Sequence, residues 1–73
     1  MLLSQNEMIA MHLKEYGSIT AREAYNNYGI MRLSARIHDL RATGMNIDTT
    51  EETKPNRYGV KTRYARYSLH EDK

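Results

Sequence analysis

The chain has 73 residues, 40% of them hydrophobic, and a domain this size buries only about 60% of its unfolded surface. That leaves no room for a deep catalytic cleft, and no apolar run approaches the roughly 20 residues of a membrane span. The absence of cysteine excludes a disulfide framework and a Cys-based zinc site. A net charge of +2 is mild, so any argument from charge must rest on where the cations stand.

The opening residues MLLSQNE lack the basic start and apolar stretch of a secretion signal, and a cytoplasmic protein is expected. Ser4-Gln5-Asn6-Glu7 has the form of a capping box, which predicts a helix from Gln5 to Tyr16 stopped by Gly17. Ile9, Leu13 and Tyr16 keep its 3.6-residue period, with Met8 and His12 beside the stripe. His12 is read as packing its ring rather than binding a ligand. Ser18-Ile19-Thr20 is too short for an independent strand but can pair with a later hairpin. Thr20-Ala21-Arg22-Glu23 forms a second capping box and opens a short helix to about Tyr28, ended by Gly29. Two helices joined by a short Gly-containing turn are the signature of a helix-turn-helix.

The third helix, Arg32 to about Thr43, organises the rest. Leu33, Ile37 and Leu40 make one buried stripe, Arg36 and Arg41 flank it, and Gly44 supplies a left-handed stop. Met45 to Thr53 reads as an extended strand. Lys54 to Gly59, with the only proline, reads as a hairpin tip. A last strand is predicted from Val60 to Leu69, with Ala65, Tyr67 and Leu69 on the core face and Tyr64, Arg66 and Ser68 on the other. Lys61 and Arg63 project past the core, with Glu51 and Glu52 roughly across from them. His70 to Lys73 is expected to be a frayed tail. The ordered core spans about 4–69, and 1–73 forms a single domain. The predicted class is α+β: three helices plus a small antiparallel hairpin, the order of a winged helix-turn-helix.

Charge follows this division. Lys54, Arg57, Lys61, Arg63 and Arg66 fall in a stretch without Asp or Glu, and Arg32, Arg36 and Arg41 lie on the third helix. The acids gather instead at Glu7, Glu15, Glu23, Asp48, Glu51, Glu52 and in the tail. Segregated cations suit an anion on one side of the molecule. The major groove of B-DNA admits one helix, read mainly by its N-terminal half. That half offers Arg32, Ser34, Ala35 and Arg36, with His38 one turn on. Arginine can bridge guanine O6 and N7, Ser34 can donate to phosphate or base, and Ala35 permits close approach. Arg41, Lys54, Asn56, Arg57, Tyr58, Lys61 and Arg63 complete the predicted DNA-binding set. An ordinary solvated helix face, with Arg36 bonded to Asp39, is the structural alternative. Tyr58 has one too, stiffening the tip against Arg57 or Pro55.

The stretches LSARIHDLRATG and RYGVKTRYARYSL, with GSITAREA before them, resemble small winged helix-turn-helix proteins encoded by phages and prophages. The resemblance implies that helix 3 reads DNA and that the wing touches backbone or minor groove. Its matching polar positions are Ser34, Arg36, Asp39 and Arg41, with Arg57, Tyr58 and Arg66 around the hairpin. Met31 stands where the family would carry a capping Thr or Ser, so the start of helix 3 is open to a shift of one residue.

Ser34, His38 and Asp39 do not make a hydrolytic triad, because Asp39 points about 100° away from its neighbour His38 on a helix. Three scattered histidines give no metal-ligand spacing. The expectation is therefore a DNA-binding protein without cofactor, metal or membrane contact, and not an enzyme. A transcriptional regulator, an excisionase-like architectural factor and a protein-binding winged helix all fit this pattern. Homodimers or tandem binding on DNA fit it as well.

Overall fold

The computed structural model describes residues 3–70. In chain order it contains α1 (Gln5–Tyr16), β1 (Ser18–Thr20), α2 (Ala21–Tyr28), α3 (Leu33–Ala42), β2 (Ile47–Pro55) and β3 (Lys61–Leu69). The three strands form one antiparallel sheet in the order β1-β3-β2. This is the expected winged helix-turn-helix, with β2, β3 and the turn between them as the wing.

Local chemistry fixes the helix ends. Ser4 Oγ accepts from the Glu7 amide at 3.1 Å, and the Glu7 carboxylate accepts from the Ser4 amide at 2.8 Å. That second bond is the main cause holding the Glu7 carboxyl below its ordinary range. Thr20 and Glu23 repeat the arrangement at 3.3 and 2.9 Å. α3 has no such cap: it begins at Leu33, and Arg32 occupies the N-cap position without a side-chain capping bond. At its other end Gly44 takes a φ of 104°, a conformation open to glycine. This lets the Met45 amide reach Leu40 O at 3.2 Å and the Gly44 amide reach Arg41 O at 3.0 Å, closing off carbonyls that the helix leaves unmatched.

Every helix contributes to one core of Ile9, Leu13, Ile19, Ala24, Ile30, Leu33, Ile37, Leu40 and Ile47. Ile9, Leu13, Ile19, Ile30 and Ile37 are fully buried, each contributing roughly 1.5–3 kcal/mol through the surface removed from water. Tyr67 and Leu69 of β3 pack against the same cluster, as their strand period requires. His12 is buried, its Nδ1 hydrogen-bonded to the Tyr28 hydroxyl at 2.7 Å and its ring 4.6 Å from that of Tyr16. It has the packing role expected of it. Burial is the first cause raising the Tyr28 phenol above its ordinary value.

The wing departs from expectation in two respects. β2 begins at Ile47 and runs on to Pro55, so Lys54 and Pro55 belong to the ladder opposite Thr62 and Lys61, and the tip is Asn56 to Val60. Proline is tolerated there because β2 is an edge strand, whose outward amides need no partner. Glu51 and Glu52 stand directly opposite Ala65 and Tyr64, yet Glu51 reaches Arg63 diagonally at 3.8 Å, the internal pairing expected there, while Lys61 has no such pair among the described residues. His70 is not frayed: its amide donates to Asn46 O at 2.8 Å and its Nδ1 lies 3.3 Å from the Asp48 carboxylate. The tail beyond it lies outside the described residues.

Candidate nucleic-acid interface

Partners in an antiparallel ladder share a face of the sheet, and successive residues alternate between faces. Ile47, Thr49, Glu51, Thr53 and Pro55 therefore stand on one face with Leu69, Tyr67, Ala65, Arg63 and Lys61. At its base this face closes the core, and α3 is tied to it. Arg41 Nε and Nη2 donate to Ile47 O at 3.0 and 2.7 Å, and Nη2 also donates to Thr49 Oγ1 at 2.8 Å. We call it the α3 face. The opposite face carries Asp48, Thr50, Glu52 and Lys54 with Ser68, Arg66, Tyr64 and Thr62. It meets the start of α2 through Arg66 and Glu23, 3.6 Å apart, and we call it the α2 face.

The eight cations singled out by sequence fall into three classes. Arg41 and Arg66 are committed to the fold. Arg41 braces the end of α3 against β2, while Arg66 Nε lies 3.1 Å from both Glu52 carboxylate oxygens and its Nη1 donates to Ser18 Oγ at 3.1 Å. Tyr64 donates to the same Glu52 and is the first cause holding its carboxyl below the ordinary range; Arg66 is the second. Glu52 in turn raises the Tyr64 phenol and the Arg66 guanidinium.

Arg36 and Arg63 form the second class, each with a local carboxylate. Arg36 Nη2 is 3.4 Å from Asp39, and Arg63 Nη1 is 3.8 Å from Glu51 with both side chains largely exposed. An exposed pair such as Arg63–Glu51 contributes at most about 1 kcal/mol, so Arg63 can turn to a stronger anion. Arg36 Nε is buried and has no hydrogen-bond partner. Asp39 is also approached by Asn6 Nδ2 of α1 at 3.4 Å, so its carboxylate braces Arg36 and not His38. Arg32, Lys54, Arg57 and Lys61 make up the third class: all are exposed, with no ion pair among the described residues.

The remaining predicted residues are placed as follows. Ser34 and His38 are exposed on α3 and Ala35 is half-buried. Asn56 shapes the tip, its Oδ1 accepting from the amides of Tyr58 at 2.9 Å and Val60 at 3.1 Å, while Gly59, at a φ of 79°, returns its amide to Asn56 O. This locked loop presents Tyr58 with 83% of its surface exposed.

Met31 before α3, Val60 at the tip and Arg22 in the first turn of α2 are exposed but stand outside the predicted contact set, since in sequence they mark only a cap, a strand and a capping box. Arg22 did carry a signal. A cation in the first turn of a helix opposes the helix dipole, and its place just after the Thr20 cap exposes it to that cost. Among the described residues no group of three or more His, Asp and Glu could hold a metal ion, and no helix is long and apolar enough to cross a membrane.

Compared with protein-family models, the chain matches that of the winged helix-turn-helix domain over residues 4–72. Neither the curated proteins nor the solved structures gave a match.

Proposed function

This chain belongs to the winged helix-turn-helix family, and on that premise, which supports DNA binding in general, we propose a sequence-specific binder of double-stranded DNA. In this reading α3 enters the major groove while the wing rests on the neighbouring backbone. Arg32 and Arg36 are the candidates for guanine, each such contact discriminating by roughly 1–3 kcal/mol. Ser34 and His38 meet bases or phosphates, and Ala35 lets the helix come close. Arg57, Lys61 and Arg63 neutralise phosphates, Tyr58 packs on a sugar, and Lys54 adds charge from the α2 face. Arg41 and Asn56 act indirectly, one fixing α3 to the ribbon and the other shaping the tip.

The observation that carries this reading is the set of exposed cations, Arg32, Lys54, Arg57 and Lys61, without ion-pair partners among the described residues. Its biological setting is proposed to be transcriptional regulation in a phage or prophage, by occupation of a site and without catalysis. An excisionase-like architectural role predicts measurable bending of the bound duplex instead.

Titration of duplex DNA at two salt concentrations tests the proposal, since each phosphate neutralised steepens the fall of affinity with salt. Arg36→Ala is expected to relax base preference, and Lys61→Ala to weaken all sequences alike. Identical behaviour of the two variants would break the division between helix and wing. Absence of duplex binding, or binding indifferent to salt, favours a protein partner. Exposed Met31 and Tyr58, 80% and 83% accessible, are the observation behind that second reading.

A further inference from the structure

The α2 face of the wing is not flat against the body. Between it and the first turn of α2 lies a cleft of about 610 Å³, whose lining includes Arg22, Lys54, Arg57, Tyr64 and Arg66. Its floor holds one cation, Arg66, against two carboxylates, a net negative charge that the three cations around it exceed. Arg66 is held by Glu52 and Glu23, and the Glu23 carboxylate also accepts from the Thr20 amide at 2.9 Å. Both nearby carboxylates are thus engaged by the floor. Three cations from separate parts of the chain line the same space: Arg22 from α2, Lys54 from β2 and Arg57 from the tip. None has an ion pair among the described residues. Like charges gathered around one cleft repel each other, a cost that an anion removes.

We propose that this cleft is a second phosphate-binding site, taking the sugar–phosphate backbone of one DNA strand on the side of the wing away from α3. The cations come from three separate elements along an open cleft, which points to a chain of phosphates rather than a compact anion. Two forked guanidiniums suit phosphate oxygens, with Lys54 adding a point charge. The register makes the wing two-sided: Lys61 and Arg63 serve the α3 face, Lys54 the α2 face. The inference rests on the DNA-binding reading and extends it to Arg22, a residue outside the helix and wing sets.

The test compares Arg22→Glu, Lys54→Glu and Lys61→Glu with the unaltered protein in duplex titrations across a salt series. Ethylation interference on the same complexes locates the phosphates involved. Each α2-face substitution should lower the salt slope by about one and leave base preference unchanged. Arg22→Glu and Lys54→Glu should lose the same ethylation-sensitive phosphates, distinct from those lost with Lys61→Glu.

If charge reversal disturbs the fold, as read by thermal melting, Arg22→Gln and Lys54→Gln replace it. Unchanged slopes and footprints for the α2-face variants, with Lys61→Glu impaired, overturn the cleft site while the DNA reading stands. Failure of the unaltered protein to bind duplex DNA removes both. Inorganic pyrophosphate shifting the Arg22 and Lys54 resonances, without any effect of their substitution on DNA affinity, assigns the cleft to a free phosphate ligand and overturns the backbone assignment.

Discussion

β3 carries arginine at its base and lysine at its tip, and the two ends use their charge in opposite ways. Arg66 is enclosed by Glu23, Glu52 and Ser18, with its side chain only 29% exposed. Lys61 pairs with Pro55 across the ladder and stands in solvent with no carboxylate within ion-pair distance among the described residues. α3 repeats the contrast with Arg41 clamped to β2 and Arg32 open at its N-cap. A basic residue in this molecule is part of the scaffold, loosely paired or open to an anion, according to the partners that the fold brings to it.

The largest expected effect tests the scaffold end. Arg66→Ala strips the Glu52 carboxylate of β2 and the Glu23 carboxylate of α2 of the cation they share and should cost about 1–3 kcal/mol, visible as a lowered melting temperature. Lys61→Ala should leave melting unchanged, and an equal loss from both substitutions would erase the distinction. Asn56→Ala comes next. It strips the acceptor from the Tyr58 and Val60 amides and should cost about 1 kcal/mol, with hydrogen exchange accelerated at the tip and not at the base.

The smallest effect is an acid response. Glu52 has a folded pKa below its ordinary 4.5. Its contribution is therefore complete above that value and is lost as pH falls through the lower folded one. Melting of the unaltered protein should decline over that interval, and Glu52→Gln should flatten the decline.

The helices were legible because their signals are local. Ser4 with Glu7 and Thr20 with Glu23 lie three residues apart, and both boxes form as the spacing predicts. The stripe of Leu33, Ile37 and Leu40 likewise needs only the helical period. What was not legible depends on partners distant in sequence. Arg66 and Arg41 look like any wing or helix cation until β1, β2 and β3 align. Pro55 reads as a turn residue unless β2 is known to be an edge. Arg22 was hidden by the capping box around it, since its relation to Lys54 and Arg57 exists only once the wing folds past α2.

The position of β2 at the sheet's margin has a consequence for assembly. Its outward backbone is a ready template for strand addition by another chain. The strand carries Glu51, Glu52 and Lys54 along that margin and ends in Pro55, which has no amide to offer. An identical strand laid alongside in parallel register would set Glu51, Glu52 and Lys54 against their own copies and find no donor at Pro55. Crowded neighbours therefore gain less from zipping their ribbons into a continuous sheet than an uncharged, proline-free margin would allow.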